Sequence, residues 1–122
     1  MQQHWEFNIN ETKLTDESST PKKNALTSFL KNEQRALDIF LSYYLKSEGA
    51  IAENTEIGDD LVFIKNHQGK FTVKYDKVHY NACLNIHEQD KEKMELNFRI
   101  DPKNKILQLT GPEWPEREPD DI

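Results

Sequence analysis

The chain has 122 residues, of which 35% are hydrophobic and 31% charged, and its formal net charge is −6. This length fits a single domain with one hydrophobic core, and the single cysteine excludes an intramolecular disulfide and indicates a reducing compartment. The longest aliphatic or aromatic run, Leu61 to Ile64, is too short for a membrane span or a signal-peptide core. We therefore expect a cytoplasmic protein that has no membrane partner.

The first elements are predicted to be a short strand and one long helix. Residues 5–9 alternate apolar and polar side chains, which is typical of a strand with one buried face. Thr20 and Pro21 suit the N-cap and the first position of a helix, and Gly49 suits its end. Apolar residues between them recur every three or four positions, which predicts a helix over about residues 21–47, roughly 40 Å long.

Some residues of this helix lie outside its apolar stripe. Ile39, Tyr43 and Leu45 do so, and we expect a loop or tail of the same chain, rather than a second subunit, to cover them. Five polar residues are expected to point away from the apolar stripe: Lys31, Gln34, Arg35, Asp38 and Ser42.

The negative charge is concentrated in two segments. Residues 47–60 carry a net charge of −5 with little periodicity, which predicts an ordered acidic loop. Residues 111–122 carry −4 and form a Pro-rich tail, whereas residues 61–110 carry +3 and residues 1–46 are neutral. Because such charges steer association rather than determine a fold, these two segments are the places to look for contact with a partner.

The remainder of the chain is predicted to be antiparallel strands connected by turns. Strands are predicted over residues 61–65, 70–75, 78–86, 94–100 and 106–110, and the second, third and fourth of these alternate apolar and polar residues. The apolar phase flips after Tyr75, which predicts a bulge, bend or tight turn at Asp76 and Lys77. Residues 89–93 are predicted to be a charged turn.

These elements predict an α+β domain. One long N-terminal helix is expected to pack on an antiparallel, largely meander sheet of about five to six strands. The domain is expected to span residues 1–110, including the acidic loop at 47–60, and to be followed by the acidic tail at 111–122.

A metal site at His79, Cys83 and His87 is not expected. The three residues lie in a predicted strand, where His79 and Cys83 stand about 13 Å apart at ~3.3 Å per residue, whereas zinc holds its ligands within about 2.3 Å. The same separation excludes a Cys–His nucleophilic pair. Since Gly-rich phosphate loops and known catalytic motifs are also missing from the sequence, we predict no enzyme activity, no metal and no cofactor.

Glu33 is the one carboxylate that falls inside the apolar stripe of the predicted helix. If it is buried, its pKa would be raised, as in sites for acid–base chemistry. The other interpretation is that this part of the helix overhangs the sheet edge, or that Glu33 pairs with a cation from a strand.

The candidate binding residues are the acids of the loop and the tail, together with a tryptophan between two prolines of the tail. They are Glu53, Glu56, Asp59, Asp60, Glu113, Trp114, Glu116 and Glu118. Prolines preorganise an extended segment, and a tryptophan can anchor a partner. Alternatively, Trp114 packs back on its own domain.

In architecture and charge, over its whole length, the chain resembles the small acidic immunity proteins that bacteria make against their own nuclease-type toxins. This resemblance implies a monomer or weak homodimer that inhibits one cognate basic toxin by covering its active site or an adjacent surface, with fast electrostatic association.

The alternative is a small-molecule-binding protein or enzyme with a pocket between the helix and a curved sheet, lined by Glu33 with Tyr44 or Tyr80. Nucleic-acid binding is not expected, because the acidic segments outweigh the mildly basic strand region.

Overall fold

A computed structural model describes residues 2–10, 12–15, 23–79 and 89–113 of the chain. The strands are β1 (His4–Asn8), β2 (Ala50–Ile57), β3 (Val62–Lys65), β4 (Gln68–His79), β5 (Gln89–Asp101) and β6 (Ile106–Thr110). The helices are α1 (Thr12–Thr15), α2 (Lys23–Asn32) and α3 (Gln34–Leu45), and a 3₁₀ turn follows at Lys46–Glu48.

The six strands form one antiparallel sheet in the order β1-β6-β5-β4-β2, and β3 also pairs with β4. The meander predicted from the sequence is therefore confirmed for the sheet. β2 and β3 lie along the same side of β4, β2 against Val73–His79 and β3 against Gln68–Lys70, so together they form one edge. β1 forms the other edge, beside β6, and the helices carry the chain from one edge to the other.

The predicted single long helix is wrong. α2 and α3 are separate helices that meet at Glu33, which has φ −106° and ψ 26° and donates its N–H to the Leu30 carbonyl at 3.0 Å. A straight helix would have carried Glu33 into the apolar face, whereas the break leaves it half-buried. Each helix then packs its own apolar stripe on the curled sheet, through Leu26 and Leu30 in α2 and Leu37, Phe40, Leu41, Tyr44 and Leu45 in α3. The start predicted at Thr20 and Pro21 lies outside the described residues.

The predicted acidic loop is also wrong, because most of residues 47–60 form strand β2. Ala50 and Ala52 face the core, and Glu53 points to the outer face. Asn54 has a φ of 55°, and the register shifts there, so the alternation restarts with Thr55 facing inward. This bulge and the small size of the inward alanines hide the two-residue period in the sequence.

The charged turn predicted at residues 89–93 is wrong, and so is the bulge, bend or tight turn predicted at Asp76 and Lys77 from the change of apolar phase. Residues 89–93 begin β5, and β4 runs through Asp76 and Lys77 with no shift of register against β5. Lys77 lies on the inner face of β4, the same face as Tyr75. The change of apolar phase in the sequence arises because this inward position is occupied by a cation. Of the predicted strand at 78–86, residues 80–86 lie outside the described residues.

The core lies between the helices and the inner face of the sheet. It is filled by aliphatic and aromatic side chains from the three helices and from strands β1, β2, β4, β5 and β6, with Phe40, Tyr44, Phe71 and Tyr75 among the largest fully buried ones, and Phe63 of β3 packs against it. None of the helices in the described part of the chain is long and apolar enough to cross a membrane.

Candidate functional site

α3 is attached to the edge strand β2 by polar side chains on one side of the helix. The Thr55 N–H donates to Asp38 Oδ1 at 3.0 Å and the Thr55 hydroxyl to the same oxygen at 2.5 Å, while Gln34 Nε2 donates to the Thr55 carbonyl at 3.0 Å. The Ala52 N–H donates to Ser42 Oγ at 2.9 Å. The sequence pattern placed Gln34, Asp38 and Ser42 outside the apolar stripe, and in the structure their side chains form hydrogen bonds with β2.

Beside this contact, α3 and the start of β2 enclose a groove of about 420 Å³ whose exposed surface is mostly apolar. We call it the α3–β2 groove. Ile39 and Tyr43 of α3 are each 46% exposed, and Ile51 of β2 is 37% exposed. The other lining residues are Asp38, Ser42, Lys46, Ala50 and Ala52. Of the three residues expected to be covered by the chain itself, only Leu45 is buried.

The other side of α3 is held by the opposite edge of the sheet. The Tyr43 ring lies 6.2 Å from the ring of Trp5 in β1. The Tyr44 hydroxyl accepts the Gln3 N–H at 2.8 Å and donates to the Pro112 carbonyl at 2.8 Å, and burial raises the pKa of this hydroxyl. Because α3 contacts both edge strands, the groove has a firmly positioned helical wall.

The predicted partner-binding acids Glu53 and Glu56 lie on the outer face of β2, and both are exposed. Their cross-strand neighbours on β4 are Asp76 for Glu53 and Lys74 for Glu56. Asp76 in turn pairs with Lys91 at 3.4 Å. The acids of β2 are therefore interleaved with lysines, and Glu53 is on the same face of the strand as Ile51.

Asp59 and Asp60 lie in the turn between β2 and β3, and Asp60 has a structural role. Its carboxylate accepts the Thr72 N–H at 2.8 Å and the Thr72 hydroxyl at 2.5 Å, and these two hydrogen bonds lower the pKa of Asp60. The Asp59 carbonyl accepts from Lys23 Nζ at 2.6 Å, while its side chain is exposed. Asp60 therefore attaches the turn to β4.

The predicted acidic surface is only partly present in the described residues. Glu113 is exposed just after β6, which is separated from β2 by β5 and β4 in the strand order. Trp114, Glu116 and Glu118 lie outside the described residues.

A charged cluster that sequence reasoning missed lies on the inner face of the sheet. Lys77 Nζ is 2.7 Å from Glu48 Oε1 and 3.5 Å from Glu92 Oε1, and the Tyr75 hydroxyl donates to Glu92 Oε2 at 3.3 Å. The hydrogen bond to Glu48 raises the pKa of Lys77, and burial followed by the charge of Glu92 raises the pKa of Tyr75. The ion pair between Glu48 and Lys77 attaches the 3₁₀ turn to the sheet, and each charged group of the cluster has a partner within it.

Of the pocket predicted between helix and sheet, the structure describes Glu33 and Tyr44. Glu33 lies at the break between α2 and α3, away from the α3–β2 groove, and Tyr44 is fully buried with its hydroxyl hydrogen-bonded. Tyr80, Cys83 and His87 lie outside the described residues, as does most of the segment around them. Within the described ranges, no group of three or more potential ligands is placed to hold a metal ion.

The second groove, of about 530 Å³, lies at the β3–β4 turn and has a polar surface lined by Lys65, His67 and Arg99. The α3–β2 groove is the better candidate site, because half-exposed large apolar side chains gathered around one concave surface are unusual on a folded domain. No protein-family model matches the chain, and no curated protein or solved structure is similar to it, so its function has to be inferred from the geometry of this site.

Proposed function

We propose that this chain acts by binding another protein through the α3–β2 groove. The observation that supports this proposal is the exposure of Ile39, Tyr43 and Ile51 around a single groove. Protein interfaces have a core of apolar and aromatic residues surrounded by polar ones, and tyrosine is among the residues that most often dominate binding.

We further propose that the partner is basic. The chain has a net charge of −6, and Glu53 and Glu56 are exposed on the strand that forms one wall of the groove. Complementary charge accelerates association and disfavours other partners. An inhibitor of the immunity type, which blocks a nuclease-type toxin by covering its active site or a neighbouring surface, is the specific form of this proposal, and the resemblance in charge and size supports it.

Affinity capture from the native host tests this function. The tagged chain should retain one basic protein at low salt, and high salt should slow its association. Tyr43→Asp should reduce the affinity for this protein about tenfold or more, because it places a charge at the centre of the apolar surface. Ile64→Asp is the matched control, since Ile64 is 63% exposed on β3, outside the groove.

Retention of the captured protein by Tyr43→Asp at wild-type affinity, or no basic protein at low salt, would contradict the proposal. If the captured protein has nuclease activity, one equivalent of the wild-type chain should inhibit it and Tyr43→Asp should not.

A pocket for a small molecule between helix and sheet stays a prediction. The positions of Glu33 and Tyr44 do not favour it.

A further inference from the structure

Given a protein partner as proposed above, we infer that the segment occupying the α3–β2 groove is an amphipathic, positively charged helix. It would lay its apolar face against Ile39, Tyr43 and Ile51 and direct its basic residues toward Glu53.

An added strand is a poor fit to this groove. Strand addition needs unpaired backbone groups along a sheet edge. On β2, the N–H groups of Ala52 and Thr55 and the carbonyl of Thr55 are already hydrogen-bonded to α3. The bulge at Asn54 further interrupts the strand. The partner must therefore be recognised through its side chains.

The shape of the groove suits a helix. Ile39 and Tyr43 are four residues apart and so form a ridge along α3, the kind of ridge that packs against the side chains of another helix. The facing wall is Ile51, and the buried residues Ala50 and Ala52 lie at the floor of the groove. Two apolar residues of a partner helix, spaced i and i+4, would contact the groove on either side of the Tyr43 ring.

The charges around the groove determine which helix it prefers. Glu53 follows Ile51 on the same face of β2, and Glu56 is also exposed on that outer face. The one cation in the lining, Lys46, lies just after the C-terminal end of α3. Carboxylates next to an apolar surface favour lysine or arginine beside the apolar anchors of the partner.

Three synthetic peptides test this inference by calorimetric titration against the full chain. The first is a helical Leu/Lys peptide, the second has glutamate at each lysine position, and the third has the composition of the first with leucine and lysine alternating as in a strand. The wild-type chain should bind the first peptide most tightly, and Tyr43→Asp should weaken this binding about tenfold or more.

Glu53→Lys should weaken binding of the helical Leu/Lys peptide several-fold more than Asp59→Lys, which makes the same change of charge at an exposed residue of the β2–β3 turn. Ile64→Asp should leave the affinity unchanged. Circular dichroism of each variant checks that it is folded.

Several results would overturn the inference: no binding of the helical Leu/Lys peptide, tighter binding of the alternating peptide, or equal effects of Glu53→Lys and Asp59→Lys. Dimerisation of the chain without peptide, abolished by Tyr43→Asp, would assign the groove to a second copy instead. If a host protein binds through Tyr43 and the helical peptide does not bind, only the helix inference fails. If no host protein depends on Tyr43, the proposed function fails.

Discussion

The edge of the sheet beside β4 is made of two parts that are protected in different ways. Along β2, side chains of α3 bind the backbone groups that would otherwise be open to another strand. Along β3, no hydrogen bond to a helix is found among the described residues, and Val62 and Ile64 are 47% and 63% exposed. β3 is instead only four residues long, has a register shift after Phe63, and ends in Lys65.

Short strands, bulges and lysines are the usual protection of an open sheet edge, whereas a covering helix is the more elaborate one. The helix has a further consequence, because its exposed side forms the α3–β2 groove. A covering helix therefore also produces a surface suited to recognising side chains, whereas the groove found at the β3–β4 turn in the described part of the chain is polar.

The largest expected effect on stability comes from Gly69→Ala in the β3 half. A Cβ at Gly69 would lie 1.9 Å from the Val62 carbonyl oxygen and 2.6 Å from the Phe98 ring. Relieving this overlap requires β3 to move away from β4 and disrupts the contact of Phe63 with Phe98, whose rings are 5.1 Å apart. We expect a loss of about 3 kcal/mol in urea unfolding.

In the same variant, hydrogen exchange should accelerate at residues 62–65 and remain slow at the hydrogen bonds between α3 and β2. Equal acceleration in both places would mean that the two parts of the edge unfold as one cooperative unit and are not stabilised separately.

Asp38→Ala is the corresponding change in the β2 half. It removes the acceptor of the N–H and hydroxyl of Thr55, a residue that is only 3% exposed. Buried donors without an acceptor are costly, so we expect a loss of about 2 kcal/mol, and faster exchange of the Thr55 amide. Glu56→Ala, on the exposed face of the same strand, should change stability by less than about 0.5 kcal/mol. If Asp38→Ala and Glu56→Ala lower the free energy of unfolding by similar amounts, Asp38 does not have the proposed role of holding α3 on the edge of β2.

The sequence predicted the sheet well and the helical layer poorly, for a physical reason. Strand β1 and the larger parts of β4 and β5 show a regular two-residue period, and β3 and β6 are short, largely apolar segments next to turn residues. In β2 the period is hidden by the bulge at Asn54 and by inward alanines, and in β4 by Lys77, an inward cation neutralised by Glu48 and Glu92. A pattern based on polarity alone does not detect inward charges that have partners.

The candidate site was predictable only in part. Ile39 and Tyr43 were recognised as lying outside the apolar stripe of the helix. The spacing of Gln34, Asp38 and Ser42 at four-residue steps also indicates a second polar side, but not that it binds β2, since that depends on a strand that was not predicted. The acids of the tail beyond Glu113 stay a prediction.

The turn between β2 and β3 joins the two parts of the edge. It should lose stability at acidic pH, when Asp60 becomes protonated. Hydrogen bonds from Thr72 lower the pKa of Asp60 from its ordinary value of 3.8, so the ionised carboxylate stabilises the fold above that pH. This contribution should be lost as the pH falls from about 4 toward the lowered pKa of the folded state.

Asp60→Asn should therefore show a shallower loss of stability than the wild type when urea unfolding is followed over this pH range. Thr72→Val, which removes one of the two donors to Asp60, should also reduce the slope. An unchanged slope in both variants would show that the turn does not depend on this carboxylate.

The smallest expected effects on stability come from a matched pair of exposed isoleucines, one in each part of the edge. Ile51→Thr and Ile64→Thr both replace a partly or largely exposed side chain in a strand with another β-branched residue, so each should change the free energy of unfolding by less than about 0.5 kcal/mol.

Their effects on binding should differ, because only Ile51 lines the α3–β2 groove. Calorimetry with the helical Leu/Lys peptide should show several-fold weaker binding for Ile51→Thr and wild-type affinity for Ile64→Thr. Equal binding by the two variants would mean that exposure alone, and not the wall that α3 provides, determines recognition at this edge.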